Sequence, residues 1–373
     1  MIATDANLER AQPSLRPGGR LHIAMIAPPW QDVPPRAYGG IEEMLASLVN
    51  GLDRRGHQVT LIGAGRTTAP ARFLSTYSRP PSERIGDPLP ELLHAARARR
   101  LLAGLDADIV HDHSLAGPLT AACRAVPTVV TCHGPADGEL GACYRELGAD
   151  ISLVAISDAQ RRNAPGLDWV ATVHNALDVD TYPFRPDKEE WVLWLGRFHP
   201  YKGAHLAIDA ARAAGRNIIL AGKLTEPTEH ACFDTYIRPR LGPDATYIGE
   251  ADAGRKRELL AAARCLLFPI HWEEPFGMVL IEAMACGTPV VALGRGAVPE
   301  VVADGRTGFV LHSAAQLPEA IQAIERIDPH ACRKHVEQYF SAETMAAAYE
   351  QVYWRVLRSR SARRPASTRV DLP

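Results

Sequence analysis

Residues 265–293 read CLLFPIHWEEPFGMVLIEAMACGTPVVAL, and the fold can be read outward from them. CLLFPI (265–270) is an apolar run too short for a helix and well suited to a buried strand. Pro275 and Gly277 then open a helix at Met278, Gly287 closes it, and TPVVAL (288–293) is a second apolar strand. A strand, a helix and a strand in such close succession predict a parallel pair joined by a crossover. Two carboxylates frame the crossover, Glu274 ahead of the helix and Glu282 inside it. Glu282 sits in VLIEAMA among residues expected to face inward, where an unpaired carboxylate would be costly. Free backbone N–H groups at Gly277, Met278 and Val279 suit a phosphate, and acidic side chains suit hydroxyls. A nucleotide-sugar carries both groups.

The same alternation extends in both directions. Upstream, LHIAMIA (21–27), HQVTLIGAG, ADIVHDH, PTVVTCHG, ISLVAIS and ATVHNA read as strands, with helical stretches such as 41–55 and ELLHAARARRLLAGL between them. The polar, proline-bearing LDVDTYPFRPDKEE (177–190) reads as a linker. Beyond it WVLWLGR, NIILAGK, ATYIGE, CLLFPI and TPVVAL alternate with helices again. The expected architecture is α/β, with two Rossmann-like doubly wound parallel sheets facing a central cleft. The expected divisions are a disordered leader (1–19), an N-terminal domain (20–180), a C-terminal domain (186–341), a final helix (342–358) and a disordered tail (359–373).

Composition excludes several classes. The 373 residues are 46% hydrophobic, enough for two cores, and a net charge of −2 gives no footprint for nucleic acid. Seven scattered cysteines without a CxxC pair predict neither a disulfide framework nor a zinc site, and fit a reducing cytoplasm. The opening MIATDANLERAQPSLRPGGR lacks the apolar core of a signal peptide, and Arg264 interrupts the best apolar run. No basic amphipathic helix stands out, which favours a soluble acceptor. Lysine is scarce: every one lies at or beyond Lys188, so each attracts notice.

Further candidates follow predicted strands. Arg197 and Lys202, in LGRFHPYKG, can neutralise a diphosphate and the charge on a departing nucleotide. Alone they would equally suit an exposed basic loop. Tyr38, Gly39 and Gly40 form a glycine turn that lets a phosphate or sugar approach, although Glu42 and Glu43 also suit an ordinary helix start. His133 ends the strand TVVTCHG and should face the cleft; a lone histidine is as often structural. His111 and His113 share one side of their strand with Asp112 on the other, which leaves a metal site without a third ligand. GAGRTTA at Gly63 lacks the last glycine of GxGxxG and reads as a loop, and no GxSxG elbow supports a serine triad.

These stretches together resemble glycosyltransferase family 4, retaining enzymes of the GT-B fold with an E-x7-E signature. HWEEPFGMVLIEAMACGTPVVA carries the signature, and GRFHPYKG, YGGIEEMLASLVNGLDRRGHQVTLIGAG, TCHG and AVPEVVADGRTGFVL extend the likeness from Leu21 to Leu357. The resemblance implies that Glu282 binds ribose hydroxyls and Glu274, selected over Glu273 by E-P-F-G, binds the donor sugar. It implies a diphosphate held by Arg197, Lys202 and the turn from Phe276 and Gly277 to Val279, Gly40 closing over the donor, and His133 near both sugars. It also implies retention of configuration, no required metal or other cofactor, and a final helix that crosses back to the N-terminal half. One departure is His174-Asn175-Ala176-Leu177-Asp178, where the family often has glycine at the position of Ala176. The expected activity is transfer of a hexose from a nucleotide-sugar, with a UDP-sugar the first choice, to a hydroxyl of a small-molecule or glycan acceptor. The alternatives are an epimerase or phosphorylase on the same scaffold, or a non-catalytic nucleotide-sugar-binding protein; the missing GxGxxG disfavours an NAD-dependent dehydrogenase.

Overall fold

A computed structural model describes residues 19–36 and 39–363. The leader, apart from Gly19, lies outside these residues, as do Tyr38 and the tail from residue 364. Seven strands form the first sheet: β1 (His22–Ile26), β2 (Gln58–Ala64), β3 (Arg72–Tyr77), β4 (Ile109–Asp112), β5 (Thr128–Cys132), β6 (Ser152–Ala155) and β7 (Trp169–Thr172). Six form the second: β8 (Val192–Leu195), β9 (Ile218–Ala221), β10 (Ala245–Tyr247), β11 (Leu266–Phe268), β12 (Val290–Leu293) and β13 (Gly308–Leu311). All neighbours pair in parallel, in the orders β3-β2-β1-β4-β5-β6-β7 and β10-β9-β8-β11-β12-β13. Each order reverses once, between β1 and β4 and between β8 and β11, and ligands of such sheets sit outside the strand ends at that reversal. This is the GT-B architecture.

Helices α1 (Gly40–Arg54), α2 (Pro88–Leu102), α3 (Glu139–Leu147) and α4 (Asp158–Asn163) accompany the first sheet. The second carries α5 (Ala204–Ala213), α6 (Pro227–Cys232), α7 (Ala253–Ala262), α8 (Met278–Ala285), α9 (Val298–Val301), α10 (Leu317–Gln322) and α11 (Pro329–Tyr339). The last, α12 (Ala342–Arg363), packs Met345, Ala346, Tyr349 and Tyr353 against Met44, Leu45, Leu48 and Leu52 of α1. The two helices approach so closely that a Cβ on Gly51 would lie 2.5 Å from the Ala342 carbonyl oxygen. The chain crosses between halves twice at one place: Leu177 N–H donates to Phe340 O (3.1 Å) and Ala342 N–H to Leu177 O (2.9 Å).

Several expectations change. Edge strands β3 and β13 were not foreseen, and α12 continues through Arg363 instead of ending before a tail at residue 359. Ala176 is buried and no described non-glycine residue has positive φ, so the turn at Asn175-Ala176 avoids the left-handed backbone a glycine would permit. Helix α2 is not amphipathic in the usual sense, because its exposed apolar and basic residues are separated along its length rather than onto two faces. It exposes Leu89, Leu92 and Leu93 near its start and Arg97, Arg99 and Arg100 near its end, with Leu115 and Leu119 also exposed. Among the described residues no helix is long and apolar enough to cross a membrane.

Candidate active site

A cleft of about 410 Å³ lies between the two halves, lined by segments that follow β1, β5, β8, β9 and β11. All eleven candidates named from the sequence and described here line it: Gly39, Gly40, His133, Arg197, Lys202, Glu274, Phe276, Gly277, Met278, Val279 and Glu282. Gly277 has φ +86°, a left-handed backbone, and caps the start of α8. The N–H groups of Met278 and Val279, in that first turn, have no acceptor within the helix. Opposite them α1 begins at Gly40, where an added Cβ would meet Met278 Cγ at 3.4 Å. Two helix N-termini, one from each half, therefore converge on the same space.

The two glutamates are built alike. Glu274 Oε2 accepts from Lys202 Nζ (2.5 Å) and from Trp272 Nε1 (3.0 Å). Glu282 Oε1 accepts from Lys256 Nζ (2.7 Å) and Tyr182 Oη (3.3 Å). In each carboxylate one oxygen is held by a lysine and an aromatic donor, while the other makes no hydrogen bond among the described residues. The lysine and the aromatic donor together fix the rotation of the carboxyl group, so the second oxygen is a pre-aimed acceptor for a hydroxyl. Lys202 also lies over the Trp272 ring, 4.8 Å from its centre. Glu273 points elsewhere, accepting from the Gly296 amide at 2.7 Å, and does not line the cleft.

The N-terminal wall is different in kind. Glu42 is buried in the first turn of α1, and desolvation raises its pKa to about 7 despite a bond from its own backbone. A Cβ on Gly39 would meet Glu42 Oε2 at 3.0 Å, so the glycine gives that carboxyl its space. Burial lowers the pKa of His133 to about 3, leaving a neutral ring. Gln160 pins the loop around that ring by donating to the carbonyls of Cys132 (2.9 Å) and Gly134 (2.8 Å). His133 Nδ1 and Asn175 Oδ1 are buried without a hydrogen-bond partner, and both residues line the cleft.

Contacts across the cleft join the walls. Arg257 donates to Glu43 (2.9 Å), and the Tyr182 hydroxyl reaches both Glu43 (3.4 Å) and Glu282 (3.3 Å). Glu300 of α9 accepts from the Asp158 (2.8 Å) and Ala159 (2.6 Å) amides at the start of α4. Burial opposes the charge on Glu300, but these bonds and one from His174 hold its pKa below the usual carboxylate value.

Sequence reasoning missed Lys256, Trp272, Tyr182 and the burial of Glu42. The scarcity of lysine was a usable signal: Lys202, Lys223 and Lys256 all line the cleft. Lys256 was hidden because GRKRE reads as a solvated helix face.

Comparisons with known proteins agree with this geometry. The model for "Glycosyltransferase Family 4" matches residues 38–211 and that for "Glycosyl transferases group 1" matches 182–339. The alpha-maltose-1-phosphate synthase of Mycobacterium tuberculosis is 30% identical, over 90% of this chain and all of the relative. The phosphatidyl-myo-inositol mannosyltransferase of the same organism is 28% identical, over 78% of this chain and 82% of its own. The crystal structure of AviGT4, a glycosyltransferase involved in avilamycin A biosynthesis, superposes with TM-score 0.69 at 26% identity, covering 91% of this chain and 98% of that one. The protein is a glycosyltransferase. It belongs to glycosyltransferase family 4, with the GT-B fold.

Proposed function

We propose that the chain moves a hexose from a nucleotide-sugar, with UDP-sugars the first choice, to an acceptor hydroxyl with retention of configuration. The observation that carries this reading is the pair of lysine-held glutamates beside the start of α8. Glu282 would take the ribose hydroxyls and Glu274 those of the transferred sugar. Arg197, Lys202 and the amides of Met278 and Val279 would hold the diphosphate, with Gly39 and Gly40 closing the opposite side. No cofactor is required, because these groups supply the positive charge that a metal would otherwise bring.

In the reaction the bond from the anomeric carbon to phosphate oxygen breaks, and a new bond to the acceptor oxygen forms on the same face. The acceptor's proton passes to the leaving phosphate. Arg197, Lys202 and the α8 N-terminus stabilise the charge that develops there. A thermal-shift screen of nucleotide-sugars should give a stabilising hit, and that donor should release free nucleotide only with an acceptor present. Sugar isomerised without an acceptor would identify an epimerase instead. NMR of the product should show the donor's anomeric configuration, and an inverted product would refute retention. Full activity in a chelator is expected; its loss would refute metal independence.

A second reading concerns the acceptor. Ile85 lines the cleft while remaining 45% exposed, and the exposed leucines of α2 lie close by in the chain. Such a surface suits an acceptor with an apolar tail at least as well as a wholly polar one. Flotation with anionic vesicles, abolished by Leu92→Asp, would favour it; no flotation would leave the soluble acceptor.

A further inference from the structure

The two histidines of ADIVHDH find different partners inside the N-terminal half. His111 has both ring nitrogens satisfied, Nδ1 by the Tyr353 hydroxyl and Nε2 by Thr131 Oγ1, each at 2.8 Å. His113 lies against it, ring centres 3.9 Å apart, and turns its own Nδ1 to His133 Nε2 at 2.9 Å. Burial lowers the pKa of both His113 and His133, so two neutral rings share this bond and one proton lies in it.

The shared proton can sit on either side. If His133 Nε2 carries it, the proton of His113 must be on Nε2, a buried atom with no acceptor. That N–H would be orphaned in a ring that is 5% exposed and does not line the cleft. If His113 Nδ1 carries it, the remaining proton of the pair sits on His133 Nδ1. That nitrogen is likewise buried without a protein partner, but its ring, unlike that of His113, borders the cleft. The second arrangement therefore puts the unanswered N–H on the ring that a ligand in the cleft can touch.

We propose that His113 is a positioning residue that donates to His133 and fixes it as the Nδ1–H tautomer, a hydrogen-bond donor to a ligand oxygen. Resting on the glycosyl-transfer reading, this means that His133 cannot take the acceptor's proton, because its free nitrogen already carries one. The leaving phosphate is then left as the proton's destination.

The test begins on the unliganded full chain labelled with 15N-histidine. Long-range 1H–15N spectra, assigned with His133→Gln, should show His133 Nδ1 protonated and Nε2 bare. The reverse pattern would overturn the proposal, and neither result depends on activity. In turnover, His113→Gln, whose amide can still donate, should stay within about threefold of the parent, whereas His113→Leu should lose roughly tenfold. Equal losses in both variants would also overturn it. Absence of any transfer by the parent protein would instead sink the proposed function and leave the tautomer result standing.

Discussion

The two walls of the cleft solve opposite problems. The C-terminal wall sets its acidic and basic groups in pairs, Lys202 with Glu274 and Lys256 with Glu282. The N-terminal wall opposes charge by burial, which raises the pKa of Glu42 to about 7 and leaves His133, with His113 behind it, neutral. A paired, charged wall suits a ligand that arrives as an anion with hydroxyls. A desolvated, neutral wall suits hydroxyl recognition without competing for that anion. The contrast suggests a division of labour in which the donor is held on one side and the acceptor is positioned from the other.

Removing a charge from the paired wall should have the largest effect. Lys202→Ala takes away a cation from the leaving group and leaves Glu274 without its lysine, so turnover should fall by about 10²–10³-fold with circular dichroism unchanged. Near-normal rates would end the idea that this wall stabilises the leaving group. Glu282→Ala should weaken nucleotide binding by about 10- to 100-fold in calorimetry, the value of hydrogen bonds to a charged group. An unchanged dissociation constant would remove the ribose assignment.

The neutral wall makes a prediction in pH. The pKa of Glu42 is raised from 4.5 to about 7, so the folded state binds that proton more tightly than the unfolded chain. Its stabilising effect is complete below pH 4.5, falls as pH rises toward 7 and is gone above it. Glu42→Gln should therefore matter little to Tm at pH 4 and raise stability at pH 8 by up to about 3 kcal/mol. A Tm difference independent of pH would show that Glu42 is not held neutral. The smallest effect belongs to Glu273→Ala, which removes a half-exposed carboxylate outside the cleft and should change turnover by less than about twofold. A loss matching that of Glu274→Ala would mean that the two neighbours share the role.

Much of this was legible in the chain. Apolar runs such as CLLFPI and TPVVAL announce strands because both faces of a parallel sheet are covered. Strand β3 was not legible because RFLSTY follows a loop-like stretch and is only partly buried at an edge. Strand β13, GFVL, is shorter still and also an edge. The position of Glu282 in an apolar helix signalled a satisfied carboxylate, but not its partner: Lys256 comes from another helix, and only the tertiary fold brings them together. The same holds for His113, whose side of β4 was readable while its bond to His133 depends on the pairing of β4 with β5.

The two chain crossings at Leu177 and Ser341 lie side by side as a single parallel bridge. Topologically, the C-terminal half is a loop inserted into the N-terminal one, and both of its ends meet at one point. A pair of ends that close makes the segment from Asp178 to Phe340 a natural cassette. Excising it would leave one joint to close, and exchanging it between relatives would leave two, both at the same place. The α1–α12 contact would remain behind as the clasp that keeps the parent half folded.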